Sequence, residues 1–257
     1  MGFLSDVVAD LKRDLEMNPI DDSALMGRIG SLPPARDFTG ALKSGNPAVV
    51  AEVKRASPSA GEIVQADAGK QAAVYEAAGA AAVSVLTEPK HFDGAMADLR
   101  AVRMATKLPV LRKDFLVHPS QLIQTRAEGA DAALLIGACL SESEIAALLI
   151  TASDLGLAAL AEATNGEDLD KILAAGAEIV GVNARDLETL EVDEGNALAL
   201  LRAVPDDKIA VFESGISTRE QVERAVEAGA NAVLVGEALM LAADPGAKIK
   251  ELLGEQT

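Results

Sequence analysis

Ionisable and amide side chains end five apolar runs of this chain, a costly place for charge unless the groups are paired or used. The residues at these ends are Glu52, Lys54, Arg112, Lys113, Asp114, Glu162, Asn183, Arg185, Glu213 and Ser214. Lysines could bind anionic groups here, and glutamates beside lysines could exchange protons because burial and opposite charge shift pKa values. A salt bridge could explain any single charge, but five runs that end this way favour an acid–base site.

Glycine and serine turns beside these runs are typical of phosphate binding. The turns ESGI and VGEA follow apolar runs late in the chain, and the loop SPSAG follows an early one. Glycine lets backbone N–H groups approach a phosphate, which a helix N-terminus also favours. Gly215 and Gly236 are therefore candidate phosphate contacts, as are the hydroxyls of Ser57 and Ser59. The serine loop could instead be an ordinary turn.

Aromatic residues are few, so their positions carry information. The chain has five Phe and one Tyr, and Phe92 and Phe115 follow the second and third apolar runs. Two rings at such positions could flank a flat aromatic substrate. Core packing is the alternative, and for Phe115 it is equally plausible.

Metal and cofactor signatures do not occur in the sequence. His91 and His118 have no further ligand at metal spacing, and Cys139 has no acid–base partner nearby in sequence. The chain has neither a Walker loop nor a dinucleotide fingerprint followed by its acidic residue. We therefore expect no metal and no cofactor.

A repeat of about 50 residues supplies the elements that could bring these side chains together. Gly-Ala dipeptides at 79, 129, 176 and 229 each end a helical pattern and precede an apolar run. With four intervening runs, the pattern predicts strands near 48–54, 81–87, 109–114, 131–137, 157–163, 179–184, 209–214 and 231–236. Their continuous hydrophobicity is typical of parallel strands buried on both faces. The chain is thus predicted to be an α/β protein, a (β/α)₈ barrel, with an open doubly wound sheet as the alternative.

Residues 1–46 precede the repeat and are predicted to form a helical N-terminal extension that covers part of the barrel. Val7, Val8, Leu11 and Leu15 lie on one face of its first helix. Neither a linker nor a low-complexity tract interrupts the chain, so residues 1–257 are predicted to be a single domain. In such barrels the reactive groups cluster where the strands end, which is where the charges above occur.

Composition limits the class of partner. A net charge of −17 argues against nucleic acid, and an anionic substrate would need local cations to offset it. A single cysteine excludes an intramolecular disulfide and is typical of a reducing compartment. No apolar run is long enough to span a membrane, and the N-terminus does not resemble a signal peptide. We expect a cytoplasmic monomer that binds neither nucleic acid nor membranes.

Four motifs together resemble the indole-3-glycerol-phosphate synthase family. They are AEVKRASPS from Ala51, LRKDF from Leu111, GVNARDL from Gly181 and ESGI from Glu213. Their order and spacing match the family along essentially the whole chain, including the extension. One departure is Ala60, where the family often has lysine before the glycine, and it puts the closure of this loop over substrate in doubt.

The resemblance implies a decarboxylating lyase of tryptophan biosynthesis. Its substrate would be 1-(2-carboxyphenylamino)-1-deoxy-D-ribulose 5-phosphate, a sugar phosphate that carries an anthranilate ring. Lys113 would be the general acid that protonates the carbonyl oxygen, and Glu162 would be a general base in the dehydration. Lys54 would bind the substrate carboxylate, and Glu52 would orient it or share the acid–base work.

The resemblance assigns the remaining candidates to binding and support. Asn183 and Ser214 would hydrogen-bond the sugar hydroxyls or the ring nitrogen, and Arg185 and Glu213 would support the electrostatics. Ser57, Gly215, Gly236 and the amide of Glu237 would hold the phosphate. Ser59, Phe92, Phe115, Leu187 and Leu234 complete the predicted substrate-binding set.

Three other functions compete with this one. Phosphoribosylanthranilate isomerase uses the same type of barrel but needs one acid–base pair and no carboxylate-binding lysine. A non-catalytic sugar-phosphate-binding barrel would bind ligand without turnover, although the acid–base set is complete here. A purely structural barrel does not explain five charged strand ends.

Overall fold

Eight parallel strands form a closed barrel in the computed structural model, which describes residues 2–45 and 47–255. They are β1 (Ala48–Val53), β2 (Ala82–Leu86), β3 (Val110–Lys113), β4 (Ala132–Ile136), β5 (Ala158–Ala163), β6 (Ile179–Asn183), β7 (Ile209–Glu213) and β8 (Ala232–Val235). Each strand pairs with its neighbours in sequence, and β8 closes on β1. The predicted barrel is confirmed, and the open sheet is excluded.

Helices follow the strands on the outside of this barrel. The α-helices are α1 (Phe3–Met17), α2 (Asp22–Ile29), α3 (Phe38–Ala41), α4 (Ala68–Ala77), α5 (Met96–Ala105), α6 (Pro119–Ala127), α7 (Glu142–Asp154), α8 (Gly166–Ala174), α9 (Glu194–Leu201), α10 (Arg219–Glu227), α11 (Glu237–Met240) and α12 (Pro245–Leu253). A 3₁₀ turn spans Gly137–Cys139. The Gly-Ala dipeptides act as predicted: Gly79, for example, follows α4 with φ of 93°, a left-handed conformation that favours glycine. Within the described residues, no helix is long and apolar enough to cross a membrane.

Alternation along each strand separates an outer core from an inner core. On β1, Val49, Ala51 and Val53 pack in the cluster formed with the helices, whereas Ala48 and Val50 belong to the cluster inside the barrel. Continuing the inner set by two residues reaches Glu52 and then Lys54. The inner face therefore changes from apolar to charged as the strands approach their C-terminal ends, which we call the mouth.

The N-terminal segment contacts both ends of the barrel. The predicted apolar face of α1 packs against the cores, and Phe3 reaches the mouth. At the opposite end, which we call the floor, Phe38 and Leu42 are buried among residues that begin strands, including Ile179 and Ile209. Residues 1 and 46, the limits of the predicted extension, and residues 256–257 lie outside the described residues. The division into a single domain stays a prediction.

Candidate active site

One cleft at the mouth brings together almost all of the predicted site residues. Its empty space, including the open entrance, is about 970 Å³. The predicted residues that line it are Glu52, Lys54, Ser57, Ser59, Phe92, Lys113, Phe115, Glu162, Asn183, Arg185, Leu187, Ser214, Gly215, Leu234, Gly236 and Glu237. Glu213 does not line the cleft, because it is fully buried behind Lys113. Strands from around the barrel thus converge on one site.

Lys113 lies between two buried carboxylates. Its Nζ donates a hydrogen bond to Oε2 of Glu213 and is 3.5 Å from Oε2 of Glu162. The three side chains come from β3, β5 and β7, and each occupies an inward position of its strand. The ammonium of Lys113 reaches the cleft, while its carboxylate partners are buried below. This arrangement can present a proton to a bound ligand.

A second lysine–glutamate pair ends β1. Nζ of Lys54 is 3.3 Å from Oε1 of Glu52, and Ser84 Oγ donates to Oε2 of the same carboxylate at 3.4 Å. Both members of the pair line the cleft, and Glu52 is buried whereas Lys54 is partly exposed. Lys54 is therefore the lysine better placed to meet an incoming anion.

Burial and mutual charge shift the proton affinities of the Lys113 group. Burial raises the pKa of Glu213 to about 8; Lys113 opposes this shift, and Glu162 adds to it. Burial also acts against the charge of Lys113, but the attraction of Glu213, Glu162 and Glu52 outweighs it and holds the pKa of Lys113 above its ordinary value. Lys113 is therefore protonated at neutral pH, as a general acid must be.

Two carboxylate oxygens of this group have no hydrogen-bond partner within the described residues. They are Oε1 of Glu162 and Oε1 of Glu213, and both are buried. A buried acceptor that is left without a hydrogen bond costs about 1–3 kcal/mol of stability, so such atoms are uncommon in folded proteins. Glu162 itself lines the cleft, so its carboxylate could take up a proton there.

The glycine turns after β7 and β8 line the cleft as predicted. Ser214 and Gly215 are consecutive left-handed residues, with φ of 66° and 77°. Gly236 immediately precedes α11. Within residues 2–45 and 47–255, the amides of Gly215, Gly236 and Glu237 donate no hydrogen bond. These amides are available to a phosphate.

The serine loop after β1 is a short hairpin. Ala56–Ser57 pairs antiparallel with Gly61–Glu62, and Ser57 Oγ accepts a hydrogen bond from the amide of Ala60. Ser57 and Ser59 hydroxyls lie 3.4 Å apart at the edge of the cleft. The hydroxyls thus come from a turn of the hairpin and do not cap a helix.

Arg185 is held by its own loop. Oδ1 of Asn183 accepts a hydrogen bond from the amide of Arg185, whose Nη1 donates to the carbonyl of Leu190. Leu190 has φ of 65°, so the loop after β6 turns sharply there. The hydrogen bond to Leu190 orients the guanidinium, and Arg185 lines the cleft.

The aromatic side chains form one wall of the cleft. The Phe92 and Phe115 centroids are 6.3 Å apart with an interplanar angle of 51°, so the rings pack on each other and do not face across a slot. Phe3 of α1 extends the wall, edge-on to Phe115 at 6.5 Å. An aromatic ligand would therefore lie against this wall. Whether it does so stays a prediction.

Several lining residues were not anticipated from the sequence. They include Phe3, Pro58, Leu86, Glu88, Leu134, Ile136, Leu190, Ile216 and Val235. The carboxylate of Glu88 accepts hydrogen bonds from the amides of Lys90, His91 and Phe92, which shapes the loop that carries Phe92. Its position just after the second apolar run was a usable signal.

Arg112, grouped with the charged strand ends, faces away from the cleft. Its guanidinium bonds Asp114 Oδ2 at 2.9 Å and the carbonyl of Gln121 at 3.1 Å, on the outer side of β3. Period-two alternation places it opposite to Lys113. Its charge therefore anchors α6 to the barrel.

A family model and similar proteins with the same description match this chain over nearly its whole length. Residues 4–252 match the family model described as indole-3-glycerol phosphate synthase. A protein of that name from Nocardioides sp. is 42% identical over 260 residues, covering all of both chains. Another, from Micrococcus luteus, is 44% identical over 248 residues, 93% of this chain and 92% of the relative.

Solved structures give the same fold at lower identity. A crystal structure of 3-hexulose-6-phosphate synthase superimposes with a TM-score of 0.67 at 18% identity, covering 80% of this chain and 98% of that one. A tryptophan synthase α-subunit from Pyrococcus furiosus gives 0.62 at 18% identity, with the same coverage. At this identity the likeness concerns the barrel alone.

Proposed function

The chain belongs to the indole-3-glycerol phosphate synthase family, and we propose that it converts 1-(2-carboxyphenylamino)-1-deoxy-D-ribulose 5-phosphate to indole-3-glycerol phosphate, CO₂ and water. This is a step of tryptophan biosynthesis. The observation that carries the proposal is the charged Lys113 at the cleft, held between Glu162 and Glu213. The reaction needs a proton delivered to a carbonyl oxygen, and this ammonium is placed to deliver one.

Ring closure is the step assigned to Lys113. The ring carbon that bears the carboxylate attacks the ketone carbon, and the carbonyl electron pair moves to oxygen as the new bond forms. Lys113 donates a proton to that oxygen, which becomes a hydroxyl. CO₂ then leaves the ring carbon, and the electrons of the broken bond restore the aromatic ring.

Dehydration completes the indole. The new hydroxyl takes a proton and leaves as water, for which Glu52 is the candidate acid. Glu162 accepts the proton that the five-membered ring loses, through the buried oxygen that has no partner in the described residues. Glu213 does not touch substrate in this scheme, because Lys113 separates it from the cleft. Its part is to hold Lys113.

Substrate binding uses local cations against an acidic protein. The net charge is −17, yet Lys54, Lys113 and Arg185 all line the cleft. We assign the substrate carboxylate to Lys54 and the phosphate to the free amides of Gly215, Gly236 and Glu237, with Ser57. The aromatic wall would then receive the anthranilate ring. Asn183 and Ser214 remain for the sugar hydroxyls or the ring nitrogen.

Product analysis separates this proposal from its rivals. The protein is incubated with the carboxyphenylamino-deoxyribulose phosphate and, separately, with phosphoribosylanthranilate, and products are identified by mass. We expect a product from the first that is lighter by one CO₂ and one water, and nothing from the second. A product of unchanged mass from the second would indicate the isomerase. Binding without any product would indicate a non-catalytic barrel.

We also propose that the chain acts as a single-domain monomer in the cytoplasm. Cys139, the single cysteine, is only partly exposed, and a lone cysteine is typical of a reducing compartment. Sedimentation of the active protein tests this: a single species of monomer mass is expected, and a stable dimer would contradict it.

A further inference from the structure

Gly181 lies inside the barrel beside the carboxylates that hold Lys113. It is on β6, in register with Glu162 of β5. A Cβ added at this position would overlap Oε1 of Glu213, the buried oxygen that has no partner in the described residues. The next atoms are Leu160 Cδ1 at 3.3 Å, a tight contact that a shift of a few tenths of an ångström would relieve, and Glu162 Cα at 3.5 Å, an ordinary contact. The carboxylate of Glu213 thus fills the space that a side chain would need.

Backbone conformation does not explain this glycine. Gly181 is not among the described glycines with positive φ, and it lies in the middle of a regular strand. Glycine in a strand is unfavourable by roughly 0.5–1 kcal/mol relative to alanine. A residue that weakens its strand and is not needed for a turn points to a close approach by another group.

We propose that Gly181 is a positioning residue of the acid–base site: because it has no side chain, Glu213 can bend into the barrel and hold Lys113. The inference rests on the proposed function, since Lys113 is assigned there as the proton donor. Any larger residue at 181 would displace the Glu213 carboxylate, and the Lys113 ammonium would follow its hydrogen-bond partner.

The other lysine–glutamate pair has a matching glycine. A Cβ on Gly236 would lie 2.5 Å from Oε1 of Glu52, the atom paired with Lys54. The Lys113–Glu213 and Lys54–Glu52 pairs are therefore each accompanied by a glycine that leaves room for the carboxylate. Gly236 is also assigned to the phosphate, so a substitution there would disturb two functions. Gly181 allows the cleaner test.

The first experiment measures Gly181→Ala with the proposed substrate. Misplacing a catalytic group by about 1 Å can cost about 10²-fold, so we expect kcat to fall about 10- to 100-fold. We expect KM to change less than about threefold, because Gly181 does not line the cleft. A kcat within twofold of wild type would overturn the proposal.

Gly40→Ala is the matched control. Its Cβ would overlap Oδ2 of Asp37, so it forces the same kind of collision with a carboxylate, but at the floor. It should lower stability while leaving kcat unchanged. A fall in kcat equal to that of Gly181→Ala would mean that general strain, and not the position of Glu213, causes the loss.

The decisive experiment adds Glu213→Ala to both the wild-type chain and Gly181→Ala. If Gly181 acts only through Glu213, Gly181→Ala should change kcat less than twofold in a chain that already carries Glu213→Ala. A further 10-fold loss would overturn the proposal. If Gly181→Ala alone fails to fold, the double variant should fold, because the colliding carboxylate is gone. Failure of both to fold would show that another contact requires the glycine, and would overturn the proposal as well.

A readout without turnover keeps the two proposals separate. Wild-type protein that makes no indole contradicts the proposed function, and the Glu213 titration can then be followed by NMR with carboxyl-labelled glutamate. Lys113, Glu162 and Glu52 are the charged groups that act on Glu213. Gly181→Ala should move its midpoint by at least about half a pH unit, and Gly40→Ala should not. Equal midpoints in all three proteins would overturn the positioning role.

Discussion

Asp131 at the floor of the barrel and Glu213 at the mouth are both buried carboxylates. Both oxygens of Asp131 accept hydrogen bonds, whereas one oxygen of Glu213 has no hydrogen-bond donor among the described residues. Asp131 accepts two hydrogen bonds from Arg103, at 2.9 and 2.7 Å, and one each from the amides of Arg36 and Val110. Among the described residues, a single side chain donates a hydrogen bond to Glu213, namely the ammonium of Lys113. The same chemical group is thus fully hydrogen-bonded at the floor and only partly hydrogen-bonded at the mouth.

The difference separates stability from chemistry. A buried carboxylate with several charge-assisted hydrogen bonds ties together the segments that donate to it. At the floor, those donors join the N-terminal segment to the strands, beside the plug of Phe38 and Leu42. Burial raises the pKa of Glu213, and its single side-chain donor among the described residues, Lys113, only partly offsets that shift.

Backbone strain follows the same division. The non-glycine residues of positive φ in the described chain are Asp93, Leu190 and Ser214, and all three lie in loops at the mouth. Such conformations cost of order 1–3 kcal/mol and persist where the surrounding structure holds them, typically at functional sites. The hydrogen bonds at the floor therefore stabilise the fold, whereas the strained residues at the mouth partly destabilise it.

Substitution of the base at the mouth should have the largest effect. Glu162→Gln keeps the shape of the side chain but removes the proton acceptor assigned to dehydration. Within a single turnover, with enzyme in excess over substrate, we expect indole formation to slow by about 10²–10⁴-fold with CO₂ release slowed less, because decarboxylation comes first. Parallel CO₂ and indole assays measure this, with the exposed Glu167→Gln as control. Equal slowing of both products would remove Glu162 from that step.

Substitution of the acid at the floor should affect stability instead. Asp131→Ala leaves Arg103 and two amides without their acceptor, and removing one partner of a buried ion pair costs about 3–5 kcal/mol. Denaturant unfolding measures the loss, and kcat per folded molecule should stay within twofold. A stable variant with lowered kcat would contradict the division between the two ends.

The pH dependence of stability sharpens the comparison. Unfolded Glu213 loses its proton near the ordinary glutamate pKa of 4.5, whereas the folded state raises that pKa to about 8. Between these values the folded state holds more protons, so stability should fall as pH rises, by at most about 1.4 kcal/mol per pH unit. Glu213→Gln should lack this component. The unfolding free energies of wild type and Glu213→Gln, measured from pH 5 to 9, should therefore converge at low pH and separate at high pH. Curves of unfolding free energy against pH that run parallel for the two proteins would refute the raised pKa.

Relief of backbone strain at the mouth should give the smallest effect. Ser214→Gly removes a left-handed penalty of roughly 1–2 kcal/mol but adds the chain entropy of glycine, roughly 0.5–1 kcal/mol. We expect a gain in unfolding free energy of up to about 1 kcal/mol, together with lower kcat/KM from the lost hydroxyl. Ser214→Ala should lose the hydroxyl without the gain. Equal stability of the two variants would argue against strain at this residue.

Much of this division could be predicted from the sequence. The strand positions followed from apolar runs bounded by Gly-Ala dipeptides, and the charges that end those runs located the mouth. Barrel topology then implies that strand ends meet, so Glu52, Lys113 and Glu162 could be grouped although they are far apart along the chain. These signals are local, which is why they can be read from one sequence.

The remaining features depend on contacts between distant segments. Phe3 joins the aromatic wall because α1 folds over the mouth, and no local pattern specifies that docking. Glu213 was grouped with the acid–base site, but the sequence could not show that its inward position on β7 places it behind Lys113, outside the cleft. Gly181 has no side chain to signal a role, and only the position of Glu213 gives it one.

The most direct test of the account compares wild-type protein with Lys113→Ala while indole fluorescence is followed after mixing with the carboxyphenylamino-deoxyribulose phosphate. The chain has no tryptophan, so the background is low. We predict a rising indole signal with CO₂ release from wild type, at least about 10²-fold slower in the folded variant, and unchanged in a Lys250→Ala control. Near-normal turnover by Lys113→Ala, or a silent wild type that binds the ligand, would contradict the account.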